Sequence, residues 1–592
     1  MPLATERTSK STEIDNATRA PLPHLPITPQ ASRRVEDIAR RLDPATSGWS
    51  SEAFHEAASQ QLERLAHFLD GSTAISDAKV RGLITTDFVC DRLRPRNLTE
   101  VFRDRVTVVR RASLEGETSP QRQVSGMVAA VRELVEAFDC RSDCHVGLKM
   151  VTVDVTDSHV ATRVLAEGGG SIATGAAQWT ATWDCQWIED TRGPPRLMSL
   201  RVQDYEEVIC QSATHTWLVD CTESVIGQSE GYRKQLAHGM DYWVNRLEWR
   251  LHVNRLGHHG IAVGDVNGDL RDDIYVCQAG GLPNRLYVQR EDGTAEDVSS
   301  EAGVDFLDDT TCALLIDVDN DGDQDLIAIT VSGGVALEND GRGRFRPRTL
   351  LPDCRNAFSL TAADYDRDGL LDLYVGRYWP TEEARGEIPI PVPFFDAHNG
   401  GRNLLLRNAG QWVFTDVTVA AGLDHDNTRY TMAAAWDDLD NDGDSDLYVA
   451  NDFGRNCLYR NDNGQFVNVA PRVGVEDIAA GMSVSFADFD HDENMDIYVG
   501  NMFSTAGHRI ATQRQFEQHF EASDLEKLRR MARGNSLFRN RGDGTYDDIS
   551  LAAGVNMGRW AWGSLFADIN NDSWDDIIVV NGHLTAEDPS DL

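Results

Sequence analysis

DLDNDGDSDLYVA, residues 438–450, sets carboxylates at positions one, three, five and nine of a short loop and follows them with a β-branched and aromatic run. The pattern D-x-[DN]-x-D-x-x-x-D recurs as DVNGDLRDD from Asp265, DVDNDGDQD from Asp317, DYDRDGLLD from Asp364, DFDHDENMD from Asp488 and DINNDSWDD from Asp568. Internal repetition outranks other signals in assigning a fold. A hard cation such as Ca²⁺ takes roughly six to eight oxygens at about 2.3–2.6 Å, and a tight loop with acids at alternate positions converges them on one point.

The predicted side-chain ligands are Asp265, Asn267, Asp269 and Asp273 in the first loop, and Asp317, Asp319, Asp321 and Asp325 in the second. They are Asp364, Asp366, Asp368 and Asp372 in the third, and Asp438, Asp440, Asp442 and Asp446 in the fourth. The fifth offers Asp488, Asp490, Asp492 and Asp496, the sixth Asp568, Asn570, Asp572 and Asp576, and position seven is expected to add a carbonyl. Gly322, Gly369 and Gly443 at position six permit a sharp turn, whereas Leu270, Glu493 and Ser573 stand there in the other copies, which are expected to be weaker or differently shaped. Asp and Asn also favour turns for backbone reasons alone. Six copies in one strand context point instead to metal, about six structural Ca²⁺ ions. The ligand set holds 22 carboxylates and two asparagines, whose like charges repel at loop distances, and six Ca²⁺ ions would take the net charge from −39 to −27.

An EF-hand also begins D-x-D-x-D-G but closes with a bidentate Glu at position twelve and leads into a helix. Position twelve here is Val276, Ala328, Val375, Val449, Val499 or Val579, inside runs such as IYV and LYVG that read as buried strands. Apolar segments such as GIAVGD and SVSFAD precede the loops, and NRLYVQREDGTAEDV, NLLLRNAGQWVFTDV, NCLYRNDNGQFVNV and NSLFRNRGDGTYDDI follow four of them as strand, polar turn and strand. Four short strands per repeat is the signature of a propeller blade.

These repeats resemble the FG-GAP/VCBS repeats of integrin-α-type propellers, and most closely bacterial relatives of cartilage acidic protein (ASPIC/UnbV-type). The resemblance covers roughly residues 240–592. It implies structural Ca²⁺ at the aspartates above and an extracellular role such as cell adhesion, while the six motifs predict a six- or seven-bladed propeller, since one blade can lack a metal loop. Closure is expected through a strand before the first loop, with NRLEWRLHVN from Asn245 as the candidate.

The N-terminal half reads differently. Residues 1–50 form a leader rich in Pro, Ser, Thr and Arg, without the apolar core of a secretory signal. From Ser51, Phe54, Ala58, Leu62, Leu65, Ala66 and Leu69 recur at helical spacing, as do Met127, Val131, Leu134 and Phe138. Val151, Val153 and Val155, and then Trp179, Ala181, Trp183, Cys185 and Trp187, alternate with polar residues as strands do. The chain is thus mainly β: an α+β domain at 51–210, a helical connection at 211–244 with a helix expected around Glu230 to His238, and the propeller at 245–592. The order of elements in 51–210 resembles the nuclear transport factor 2-like fold.

The excess of Asp and Glu over Lys and Arg, 95 to 56, argues against nucleic acid or anionic membrane as partner, and no apolar stretch reaches transmembrane length. The calcium loops suit an extracellular or periplasmic setting, although with no signal visible the cytoplasm stays open. Two extra segments, Arg377 to Arg402 and Met502 to Gly534, fall at the same point of the repeat and are expected on one rim, where they either wall a ligand groove or pack on each other and on the N-terminal domain. The first carries Phe394 and Phe395. The second shows helical spacing at Phe516 and Phe520 and a capping box from Ser523 to Glu526. With Trp560 and Trp562 ahead of the last loop, the two phenylalanines are the candidate ligand contacts. Cys140, Cys144 and His145 offer a weaker metal site, with a disulfide or free thiols favoured, and the paired His258 and His259 read as strand or turn residues.

The leading reading is a binding or scaffolding propeller that presents rim loops to a protein or glycan. The alternative is an enzyme, an isomerase, cyclase or hydrolase, with its site in the propeller channel or in an N-terminal pocket, where Asp154 and Asp184 lie on polar strand faces. An enclosed apolar cavity around a perturbed acid favours the enzyme, and a filled core favours the scaffold.

Overall fold

The computed structural model describes residues 49–581, apart from 114–119, 139–141, 157–158, 190–192, 212–217, 240–241, 244–245, 248–258, 356, 381–389 and 519. The leader therefore lies almost wholly outside the described residues.

The apolar stripe of the first helical segment forms helix α1 (Ser50–Leu69), which buries Phe54, Ala58, Leu62, Leu65, Ala66 and Leu69. The second forms α2 (Gln123–Phe138), burying Met127, Val131 and Leu134. Strands β1 (Ile84–Cys90), β2 (Leu98–Arg103), β3 (Thr107–Ala112), β4 (Gln121–Arg122), β5 (Ser142–Val155), β6 (Val160–Ile172), β7 (Gly175–Ile188) and β8 (Arg196–Cys210) make one sheet. Its path is β2-β3-β8-β7-β6-β5, with β1 parallel to β8 and antiparallel to β4. Strict alternation in β7 turns Trp179, Ala181, Trp183, Cys185 and Trp187 toward the helices, so the sheet is covered on one face as the period-two pattern requires. Phe54 meets Trp187 edge-on at 6.1 Å, and Trp183, Trp187 and Tyr205 are among the largest fully buried side chains. The buried Glu207 is bonded by Arg94 at 2.9 and 3.0 Å and by Arg110 at 3.2 Å. A buried carboxylate is tolerated only with such partners. Side chains of α1, α2 and the sheet thus form one buried cluster, and the buried Glu207 is paired with two arginines.

In the connection, the helix expected around Glu230 to His238 is a single π-helical turn, Tyr232–Leu236, preceded by a short α-helix, Thr222–Ile226. Gln235 ties it to the propeller, donating to Gln278 Oε1 at 2.9 Å and Pro283 O at 2.8 Å.

The C-terminal half is a β-propeller of short antiparallel meanders. Blades one to five are four-stranded sheets in which the first strand pairs the second, the second the third and the third the fourth. Their first strands are Ile261–Gly264, Thr310–Ile316, Ala357–Ala363, Tyr430–Asp437 and Gly481–Ala487. In the sixth blade, Ala561–Ala567 pairs only Asp576–Asn581 among the described residues. The first strands pack side by side from blade one to blade six. Second strands are buried almost throughout, as in Asp325–Thr330, Asp372–Arg377 and Asp496–Asn501, which is why they read as unbroken apolar runs. Most of the expected closing strand from Asn245 lies outside the described residues, and its Arg246 and Leu247 are in a turn and a bend.

This meander decides which end each feature occupies. Aspartate loops join first to second strands and the two insertions join second to third strands, so loops and insertions lie at opposite ends of the blades.

Candidate metal centres

All six aspartate loops fold by the same local hydrogen bonds. The position-six N–H donates to the first aspartate at 2.7–3.0 Å. The position-seven N–H donates to the position-five carboxylate at 2.9–3.0 Å. Position six is left-handed in every copy, with φ of +95° at Gly322, +86° at Gly369 and +89° at Gly443, but also +65° at Leu270, +70° at Glu493 and +74° at Ser573. The three departures from glycine thus keep the turn and carry its steric cost.

Position nine is half-buried at Asp576 of blade six, whereas in blades one to five it is buried and anchored to the blade. In blades one to five its carboxylate accepts the N–H of the third strand's last residue at 2.7–2.8 Å, from Gln289, Asn339, Asn408, Asn461 and Asn540. Its other oxygen accepts the position-two N–H of its own loop in blades one, two, four and five, as from Val266 at 3.0 Å and Leu439 at 3.2 Å. Burial, with the neighbouring loop aspartates adding to it against these amides, pushes Asp325, Asp372, Asp446 and Asp496 up to about 7. The loops thus hold more negative charge than the protein itself neutralises.

In four loops three carboxylates have oxygens within 4.8 Å of one another: Asp317, Asp319 and Asp325; Asp364, Asp366 and Asp372; Asp438, Asp440 and Asp442; and Asp488, Asp490 and Asp492. Oxygens of Asp317, Asp319, Asp366, Asp372, Asp490 and Asn570 are buried without a donor. Buried polar atoms are otherwise almost always satisfied. Converging oxygen-only donors with unfilled lone pairs fit a hard divalent cation. Loops one and six, with Asn267 and Asn570 at position three, gather no such acid triplet among the described residues. Arginines flank some loops: Arg407 bonds Asp366 at 2.6 Å and Asp368 at 2.7 Å, and Arg271 bonds Asp269 at 2.8 Å.

One set of residues at these centres was missed by the motif reading. Asn339, Asn408, Asn461 and Asn540 each send Nδ2 to the position-two carbonyl of the preceding blade's loop, at Val266 (2.8 Å), Val318 (2.9 Å), Tyr365 (2.9 Å) and Leu439 (3.1 Å). The signal was the final Asn of the repeated N-x-L-x-R-N strand for Asn408, Asn461 and Asn540; Asn339 ends the divergent GVALEN, and blade one has Gln289 there.

The insertions are shared between surface and packing. Phe394 is 53% exposed beside the exposed Ile390 and Val392, while its ring meets Phe453 at 5.1 Å. Lys527, on helix α4 (Ala522–Met531) of the second insertion, lies 5.4 Å from the Phe395 ring centroid, so the two insertions touch. The capping box is not formed: Glu521 is the N-cap, no side chain caps the helix, and Ser523 lies within its first turn. Helix α3 (Thr505–Ala511) instead uses Ser504, whose Oγ accepts Gly507 N at 2.9 Å. The second insertion also clamps the N-terminal domain, with Arg509 bonding Glu52 at 2.9–3.1 Å and Ser51 bonding Gln513 at 2.6 Å. Burial, with Arg509 close by, pushes His55 down to about 4. The packing alternative therefore describes much of the second insertion, and the first retains the exposed apolar surface.

Trp560 and Trp562 are half-buried, 6.4 Å apart, and Trp560 bridges to Met502. Cys144 is disulfide-bonded and so withdrawn from metal binding, and Cys140 lies outside the described residues. His259 bonds Asp309 at 2.9 Å, while His258 lies outside the described residues. Asp184 is paired with Arg163 at 2.9 Å and lies with Asp154 on the outer face of the sheet, away from the core.

Comparison with known proteins agrees with the repeats. The family model "FG-GAP-like repeat" matches residues 265–328, 317–375, 438–499 and 528–579, so the C-terminal half carries FG-GAP repeats. No curated protein matches the chain. Among solved structures, an Agrocybe aegerita lectin that recognises non-reducing terminal N-acetylglucosamine is 17% identical, covering 55% of this chain and 75% of its own at a TM-score of 0.33. The Kfla4162 protein of Kribbella flavida is 12% identical, covering 26% and 91% at 0.19. Rd1NTF2_04 with long sheet is 10% identical, covering 25% and 99% at 0.17.

Proposed function

We propose that the chain is a calcium-stabilised propeller scaffold that presents its insertion face to a protein or glycan ligand. The observation that carries this reading is the repeated convergence of three carboxylates within 4.8 Å, with buried oxygens that no donor reaches. The twelve first-, third- and fifth-position side chains of the four acid-triplet loops, Asp317 to Asp492, together with Asp325, Asp372, Asp446 and Asp496, would hold the ions. Asp265, Asn267, Asp269 and Asp273, and Asp568, Asn570, Asp572 and Asp576, would hold two weaker ones. Bound calcium neutralises repulsion that the fold otherwise bears, and it stabilises by mass action because the unfolded chain has no preformed site.

With the metal at one end of the blades, the part of the other end that the N-terminal domain and connection leave uncovered is available for recognition. Ile390, Val392 and Phe394 supply an exposed apolar ridge there. An extracellular or periplasmic location, where calcium is abundant, suits this reading. The packed N-terminal core and the paired Glu207 favour a scaffold over an enzyme. Elemental analysis and calorimetric titration of the chelator-stripped chain provide the test: four to six Ca²⁺ ions per chain, four of them tight, support the reading. Fewer than three sink it.

A further inference from the structure

Arg377 ends the second strand of blade three with 3% of its side chain exposed. Its backbone N–H donates to Asn403 Oδ1 at 2.8 Å, yet the guanidinium Nε and Nη2 are buried without an acceptor. Asp353 Oδ2 stands 3.4 Å from Nη2, while its other oxygen is held by Arg355 Nε and Nη2, both at 3.0 Å. A buried guanidinium needs full pairing, because its desolvation is otherwise uncompensated. Here one half-exposed carboxylate, on a backbone with φ of +35°, is divided between two arginines.

Asp353 and Arg355 also line a pocket of about 360 Å³. Blade two passes from its second strand, ending at Thr330, to its third, starting at Gly333, through a two-residue turn, so no long loop of its own covers this end. Phe306 and the 81% exposed Leu350 provide apolar surface, and Ser332 and Asp308, bonded at 3.1 Å, provide hydroxyl-binding groups. Such a pocket suits a ring with one apolar face, several hydroxyls and one carboxylate, since arginine forks recognise planar oxyanions in bidentate fashion.

We propose that this pocket binds a uronic acid, whose carboxylate displaces Asp353 beside Arg377 while Asp308 accepts its hydroxyls. Arg377, at the base of the first insertion, reaches this pocket through Asp353, and the ridge residues Ile390, Val392 and Phe394 are not part of its lining. Calorimetry and saturation-transfer NMR on the calcium-loaded full chain test it with glucuronate, galacturonate, glucose and acetate. A uronate should bind at least about tenfold more tightly than glucose or acetate. Asp353→Asn, which removes the competing carboxylate, should tighten uronate binding, and Arg377→Met should abolish it. Melting of Arg377→Met without ligand should match or exceed the parent, because an under-paired buried charge is gone. A uronate-terminated oligosaccharide that binds better than the monosaccharide identifies a glycan terminus as the source, and equal binding identifies the free acid. The proposal falls if neither uronate binds saturably, or if Arg377→Met melts like the parent and still binds.

Discussion

In blade four the loop Asp438–Asp446 is held from three directions. Asp446 accepts Leu439 N from its own loop and Asn461 N from the third strand, and Asn540 of blade five reaches across to Leu439 O. In blade six the same nine-residue pattern folds with the same turn, yet Asp576 receives a single N–H, from Ile569 at 3.3 Å, and no third strand stands beside it among the described residues. Leu565 and Val580 of that blade are exposed by 46% and 60%, and its loop leans on blade five through His491 stacked on Trp574 at 4.2 Å. Local sequence therefore builds the turn, and neighbouring strands convert it into a rigid cage.

The largest effect expected from this contrast is on metal removal. Excess chelator should lower the melting temperature by on the order of 10 °C or more, since each ion held at a hundredfold over its Kd contributes about 2.7 kcal/mol. Calcium should return in two classes, with Asp568→Ala deleting a weak ion and Asp438→Ala a tight one. Loss of a tight ion from both variants would erase the distinction between the blades.

Next in size, Asp446→Ala should cost about 3–5 kcal/mol by denaturant unfolding, because it unpairs buried groups around a charged site, whereas Asp576→Ala should cost under about 1 kcal/mol. The cross-blade asparagine sharpens the same contrast: Asn461→Ala should cost about 1–3 kcal/mol by stranding Tyr365 O, and Gln289→Ala, which has no loop to reach among the described residues, should be near neutral.

Acidification tests the clamp between the second insertion and the N-terminal domain. The folded chain holds His55 down to about 4, so it refuses a proton that the unfolded chain accepts below about 6.5. The contribution of this interface is fully present above about pH 6.5 and declines as pH falls toward 4. Hydrogen exchange in α1 and in residues 505–517 should accelerate over that interval. The smallest effect belongs to Leu270, 95% exposed and left-handed at +65°: Leu270→Gly should raise stability by up to about 1 kcal/mol in thermal melts.

Much of this architecture was legible because its signals are local. Carboxylates at alternate positions, β-branched runs after them, and alternation from Trp179 to Trp187 each fix a conformation within a few residues, so the loops, strands and mainly β class could be read directly. At Leu270, Glu493 and Ser573 the missing glycine led to an expectation of differently shaped loops, yet the register imposes the same left-handed turn there. The capping box at Ser523 failed because the helix starts at Ala522 with Glu521 as its N-cap, two residues ahead of Ser523.

By itself, then, the sequence determined six aspartate loops between strands, an α+β domain ahead of them, and the oxygen chemistry offered to a cation. Only the tertiary structure decided which loops are caged, through Asn339, Asn408, Asn461 and Asn540 reaching into the neighbouring blade. It alone decided that the second insertion clamps Glu52 and that Arg377 lies buried beside a shared carboxylate. Those outcomes join residues tens to hundreds of positions apart, and burial and hydrogen-bond partnership across such separations depend on how blades and domains pack, which no local pattern encodes.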